Sequence, residues 1–425
     1  MIITDSRGRR APAAIATVLA GALLLTACGR SAGPAPADAD GAVAPSPGIT
    51  DTTITLGTTS PLSGNAAGVG TCAVDGAVAY FEARNADGGI EFGDGKTRTV
   101  EFVAYDDGYD PQRALGNFQQ MVGDGIFAAA LSLGTPTNRA WREAAIDEEV
   151  PQVLVQTGDP LFSDPDESPW QLGLLPIYQQ EGAAFGELLL ASGEHHRVAI
   201  LYQNDDFGLG YVEGFKEAVE GAANVEIVKE LPFEATAVDV SAQVTELASS
   251  GADIFFNAMS SLAPLVIGSL QQADAVDWRP SWFLPSTSSS PAALLEPSGV
   301  ADRFPAIYTT ASSQSAGAPG FAETEDGAEF LAALHEHTSQ TGVPSFPQCV
   351  WSWIGASVIE QAFRTMTEPT RESFMDALRS VSDFEAPLLL PGGVIDTTEN
   401  GLPAMSSVVV QRYDAPGFIP VDALD

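Results

Sequence analysis

From residue 54 onward, short apolar runs alternate with stretches whose apolar residues recur every three to four positions. The runs predict strands and the spaced stretches predict amphipathic helices. Residues 54–58 predict a strand, and residues 72–85 a helix with Val74, Ala77, Val78 and Phe81 on one face. Further strands are expected at 100–105, 127–131 and 153–156, with helices at 111–122 and 138–146 between them. Pro111 suits a first helical turn, where its missing N–H costs nothing. After residues 170–176 the alternation restarts. Helices are expected at 177–191, 210–219, 240–248 and 265–273, and strands at 198–202, 225–231, 254–257 and 282–284. Beyond Ile307 the pattern turns mainly helical (328–337, 351–366, 370–380) and closes on two strands, 393–396 and 407–413. Strands alternating with helices imply parallel sheets covered on both faces, and the restart near residue 176 implies two of them.

Ahead of this alternation lies one longer apolar run, residues 11–25, behind Arg7, Arg9 and Arg10. A basic start and a short apolar stretch read as a secretory signal, since a membrane span needs about 20 apolar residues. The run ends Leu25-Thr26-Ala27-Cys28, which resembles a bacterial lipobox. On that reading residues 1–27 are a lipoprotein signal peptide. Cys28 is then acylated as the new N-terminus, and the chain is extracytoplasmic, tethered to the outer face of the cytoplasmic membrane. An ordinary signal peptide with a chance cysteine is the alternative. Residues 31–48 are nearly all Ala, Gly, Pro, Asp and Ser, so 28–48 form a flexible linker.

Composition narrows the function. The 425 residues suffice for two domains. The 56 acids and 19 bases give a net charge of −37. Removing residues 1–27 takes away one acid and three bases and leaves about −39. Such a field repels phosphate backbones and anionic lipid, so nucleic acid is not an expected partner. Beyond Cys28 two cysteines remain, Cys72 and Cys349, in a compartment that permits disulfides; a bond and two buried thiols both stay open.

Five segments in register carry a resemblance: 54–64 (ITLGTTSPLSG), 85–90 (NADGGI), 105–107 (YDD), 198–208 (VAILYQNDDFG) and 249–253 (SSGAD). In that order the chain resembles the type I periplasmic solute-binding proteins of ABC importers, in the leucine/isoleucine/valine-binding branch. The resemblance implies an α/β fold of two Rossmann-like lobes with parallel sheets joined by three crossovers. Residues 49–172 and 309–390 would form the first lobe, and 173–308 and 391–425 the second. Both remaining cysteines then fall in the first lobe, which favours their pairing. It also implies a monomeric, non-catalytic receptor that closes on a small-molecule ligand and presents it to an ABC permease.

In open parallel sheets ligands sit beyond the carboxyl ends of the strands. The loops there offer Ser60, Leu62 and Ser63, then Thr135, Pro136 and Thr137, then Gln156, Thr157 and Gly158 from the first lobe. The second lobe offers Asp205 and Phe207, Met259 and Ser260, and Ser286 and Thr287. Relatives grip a ligand carboxylate with hydroxyl and backbone groups, and Thr135, Thr137 and Thr157 match those places. Phe207 matches an aromatic that relatives set against the ligand. Amino-acid binders of the branch use a second-lobe acid to hold the ammonium group, yet residues 284–287 and the loop after Asn257 carry none. Asp205 or Asp206 would have to substitute. The expected ligand is an amino acid, an amide or a small aromatic or aliphatic carboxylate, with a small carboxylate on an apolar body favoured.

No cofactor, metal or catalytic group is expected. Residues 68–73 fit G-x-G-x-x-A but start about ten residues after the strand and lack the later acid, so a helix start packed on a loop is the expected use. His335 and His337 diverge on their helix, and His195-His196 has no ligand cluster beside it in sequence. Of Trp351 and Trp353, one suits the core and the other the cleft. The rival functions are a ligand-sensing domain of a signalling receptor and a secreted hydrolase.

Overall fold

The computed structural model describes residues 43–424. The signal segment, Cys28 and the linker through residue 42 lie outside them. The first sheet holds β1 (Thr53–Ser60), β2 (Ile90–Glu91), β3 (Thr97–Asp106), β4 (Ala128–Ala130), β5 (Gln152–Val155) and β6 (Gln171–Gly173), in the order β2-β3-β1-β4-β5-β6. Between its strands run α1 (Ala67–Ala86), α2 (Pro111–Asp124) and α3 (Thr135–Asp147). α2 starts at Pro111 as expected: the Asp110 carboxylate accepts the Arg113 N–H at 2.8 Å, and Gly125 at φ 76° ends the helix.

The second sheet holds β7 (His196–Gln203), β8 (Val225–Phe233), β9 (Ile254–Ala258), β10 (Ser281–Phe283), β11 (Ile307–Ala311), β12 (Val409–Asp414) and β13 (Gly417–Pro420), in the order β13-β12-β11-β10-β9-β7-β8. α4 (Tyr178–Ser192), α5 (Asp206–Ala218), α6 (Ser241–Ala248), α7 (Ala263–Ala275) and the one-turn α8 (Glu296–Ser298) accompany it. β9 is buried at all five positions because helices cover both faces, which is why it reads as an unbroken apolar run. The late helices α9 (Glu325–His337), α10 (Gln348–Thr365) and α11 (Arg371–Leu378) return to the first lobe. There a Cys72–Cys349 disulfide ties α1 to α10.

Three departures have physical causes. Residues 393–396 form no strand: Gly392, at φ 83°, turns the chain, and Ile395 makes one isolated bridge to Phe384 while its side chain enters the first core. Residues 307–311, expected to begin the helical part, form β11; their Ile-Tyr-Thr-Thr run is strand-prone. The lobe crossings therefore move from the expected 309 and 391. β11 stays in the second sheet to Ala311, whereas Ile395, Ala404 and Met405 pack in the first core before β12 rejoins the second sheet. The crossing segments are stitched together: Met405 N–H donates to the Leu174 carbonyl at 2.9 Å, and Gln314 N–H to the Leu388 carbonyl at 2.8 Å.

Candidate ligand-binding cleft

Each sheet has one point where the strand order reverses. In the first it lies between β1 and β4, because β1 leads outward to β3 and the chain then returns to β4 on the other side. In the second it lies between β7 and β9. Loops leaving such neighbours diverge and open a crevice. Residues following all four strands line one cavity: Ala66 and Val69, Leu133 and Thr135, Phe207, and Ser260 to Leu262. It measures about 30 Å³, room for a water or two. The halves stand nearly shut. First-lobe residues Ala66, Val69, Ala73 and Leu133 share an apolar cluster with Leu262, Leu265 and Val266 of the second lobe.

Of the expected residues, Thr135, Gln156, Phe207, Ser260 and Thr287 reach the cavity wall. The others hold the loops in shape. Ser60 Oγ donates to the Gly70 carbonyl at 3.2 Å, while Leu62 N–H and Ser63 Oγ donate to the Asp106 carboxylate at 2.9 and 2.7 Å. Pro136 sits in the first turn of α3, and Thr137 Oγ1 donates to the Leu133 carbonyl at 3.0 Å. Asp205 caps α5, accepting the N–H groups of Phe207 and Gly208 at 3.1 and 3.3 Å and the Gln203 amide at 2.5 Å. Met259 is wholly buried in the second core. Ser286 donates through N–H and Oγ to Glu181 at 3.1 and 3.0 Å. Gly158 abuts the hinge so closely that a Cβ would lie 2.3 Å from the Pro176 carbonyl.

Behind Thr135 stands a closed set of hydroxyls. Thr135 Oγ1 lies 2.8 Å from Thr157 Oγ1 and 3.0 Å from the Tyr178 hydroxyl, and the latter two are 3.1 Å apart. Tyr178, at the head of α4, also packs on Phe207 and Tyr211 with ring centroids 4.8 Å away in each case.

The structure adds wall residues that periodicity does not disclose: Tyr109, Tyr178, Gln348 and Trp351. Trp351 is the cleft-facing member of its pair, its Nε1 donating to Ser313 Oγ at 3.1 Å, while Trp353 lies in the first core. Tyr109 follows the Asp106-Asp107-Gly108 turn with a left-handed φ of 65°. Asp107 holds it there, accepting the Tyr109 N–H at 2.8 Å and Thr59 Oγ1 at 2.9 Å. Burial pushes the Asp107 carboxyl up to about 6, despite those two bonds. The Tyr109 hydroxyl faces Gln203 and Ser260 of the opposite lobe, and burial raises its pKa. Its position, directly after the carboxyl end of β3, was the available signal.

The G-x-G-x-x-A stretch is the expected packed helix start: a Cβ on Gly70 would fall 2.0 Å from the Pro61 carbonyl. A second constellation, away from the cleft, has the outline of a hydrolytic triad. His196 Nε2 lies 3.0 Å from Ser192 Oγ, and His196 Nδ1 lies 3.0 Å from Asp253 Oδ2. Its chemistry is poor. Ser192 ends α4, where carbonyls rather than N–H groups point outward, and its Oγ donates to the Leu189 carbonyl at 2.7 Å and accepts the Glu194 N–H at 3.1 Å. The set pins β7 to the turn before β9.

Against this geometry stand the likenesses to known proteins. The family model described as "Periplasmic binding protein" matches residues 53–416. A Leu/Ile/Val-binding protein homolog 3 of Brucella melitensis is 27% identical over 215 residues, 48% of this chain and 53% of that protein. The match thus spans about half the length of that curated relative. A substrate-binding periplasmic protein from Ralstonia solanacearum superposes with a TM-score of 0.75 at 22% identity, covering 87% of this chain and 100% of the other. A branched-chain amino acid ABC transporter protein from Thermus thermophilus with bound valine gives 0.76 at 15% identity, covering 88% and 97%. A solute-binding protein from R. palustris in complex with benzoate gives 0.70 at 16% identity, covering 87% and 95%. At these identities the structural likenesses establish the fold, two α/β lobes with mostly parallel sheets.

Proposed function

The chain belongs to the periplasmic binding protein family, and from that premise we propose that it is an extracytoplasmic solute receptor of an ABC importer that performs no chemistry on its cargo. The observation that carries this reading is a cavity walled by both lobes at both strand-order reversals. A molecule held there touches both halves at once, so it stabilises the closed form by its differential affinity, and the closed form is the shape a permease recognises. The cargo is a small solute; relatives with bound valine and benzoate support that size class. Cys28 carries the lipid anchor, and the linker after it keeps the receptor near its permease at high local concentration.

The test is a titration of the chain lacking residues 1–28 with amino acids, amides and aromatic acids, read by tryptophan fluorescence and melting temperature. Saturable binding with the ligand recovered intact supports the receptor. The Ser192–His196–Asp253 line supplies the competing reading of a hydrolase. Turnover of a panel member that disappears in Ser192→Ala would establish that reading instead.

A further inference from the structure

The cavity wall offers a ligand neutral hydrogen-bonding groups and no charge. None of its lining side chains is ionisable as an acid or base near neutrality. The nearby acids are committed: Asp205 caps α5, and Glu181 accepts from Ser286, Thr310 and Tyr211. The hydroxyls of Thr135, Thr157 and Tyr178 make three mutual bonds, which use their three protons and leave only lone pairs. Trp351 Nε1 is engaged by Ser313, and the Tyr109 hydroxyl by Gln203 and Ser260.

Three residues of this wall carry a buried polar atom without a partner: Gln156 Oε1 and Gln348 Oε1, which only accept, and Thr287 Oγ1, a hydroxyl that both donates and accepts. These residues are only 4%, 3% and 8% exposed. The Gln156 amide is oriented by its surroundings, since Nε2 faces the Leu131 carbonyl at 3.4 Å, which can only accept, and Ser352 Oγ at 2.6 Å. Its oxygen is therefore left as an unmet acceptor. A buried acceptor of this kind carries a penalty until a donor reaches it. The Gln156 and Gln348 oxygens differ from the other unpartnered amide oxygens, such as those of Gln152 and Gln171, in belonging to residues of the cavity wall. The opposing feature is the N-terminus of α3, whose N–H groups favour an anion; Pro136 in its first turn removes one of them.

We infer that the cargo is uncharged and presents hydrogen-bond donors, as a primary amide or hydroxyl, on an apolar or aromatic body seated against Tyr109, Phe207 and Trp351. Donors on the cargo meet Gln156 and Gln348 in the first lobe, and the Thr287 hydroxyl in the second lobe donates to the cargo's oxygen, so both halves are engaged. A carboxylate would set its own oxygens against the two glutamine oxygens. This inference rests on the receptor reading above and replaces the expectation of a carboxylate.

Matched probes decide it. The chain lacking residues 1–28 is titrated calorimetrically with benzamide against benzoate, valeramide against valerate, and with valine. The amides are expected to bind at least tenfold more tightly than the acids. Gln348→Met is expected to weaken the amides about tenfold and to narrow that gap, with the unliganded melt showing that the variant folds. Tighter binding of benzoate, valerate or valine than of the amides overturns the ligand class and leaves the receptor standing. An undiminished amide affinity in Gln348→Met and in Gln156→Met, both folded, overturns the role given to these acceptors. Silence from every probe at millimolar concentration overturns both the class and the receptor reading.

Discussion

Arg139 on α3 and Asp206 at the head of α5 stand 2.9 Å apart, one from each lobe. The same guanidinium grips Asp159 of its own lobe at 2.5 Å, so its position is set before the lobes meet. Arg139 and Asp206 thus form a latch between the two lobes. With side chains 36% and 47% exposed, the pair is worth about 0.2–1 kcal/mol. Asp206→Asn is expected to weaken any cleft ligand by up to about fivefold, chiefly by faster release. The difference from the native chain should vanish in molar salt. Stopped-flow release rates at two salt concentrations check this.

Asp107 makes stability depend on pH in the direction opposite to a salt-bridged acid. Its folded pKa of about 6 lies above the ordinary 3.8, so the folded chain binds the proton more tightly. The stability this contributes is complete below about pH 4 and is lost as pH rises through about 6, to an extent of about 3 kcal/mol. Melting temperature should accordingly rise from pH 7 to pH 5. Asp107→Asn should flatten that rise, and melts in matched buffers at both values read it directly.

Phe207 was expected to be a ligand contact, and the structure makes it a core residue as well. It is 2% exposed and packs on Tyr178 and Tyr211 at centroid distances of 4.8 and 5.1 Å. Phe207→Ala should cost about 3 kcal/mol or more in the unliganded chain, measured by denaturant unfolding. Phe207→Leu keeps most of the volume and is the variant with which to measure ligand affinity.

The Cys72–Cys349 disulfide closes a loop across 277 positions. Its removal by Cys349→Ala together with Cys72→Ala should lower stability by about 2–5 kcal/mol while leaving ligand affinity nearly unchanged, because both residues lie in the first core rather than on the cavity wall. Thermal melts and a titration of the double variant test the two halves of this statement.

The chain's hydrophobic periods were enough to place the strands through β10 apart from the short β2 and β6, the helices between them and the restart after residue 176, since each period reports which side of an element faces its own core. Capping chemistry was equally local: Asp110-Pro111 starts α2 wherever the helix ends up packing. Folding decided what no period encodes. Tyr109, Gln348 and Trp351 meet Thr135 and Gln156 because the late helix α10 returns to the first lobe beside the loop after β3, and closure of the second lobe brings Phe207, Ser260 and Thr287 to them. Thr137, Thr157 and Ser286 sit at the right strand ends yet use their hydroxyls on neighbours in the protein. The run at 393–396 looked like a strand by composition but found no partner strand beside it. A residue's own neighbours in sequence determine its element and its face. The atoms left free to receive a cargo are those that the opposite lobe and the late-returning helices fail to satisfy.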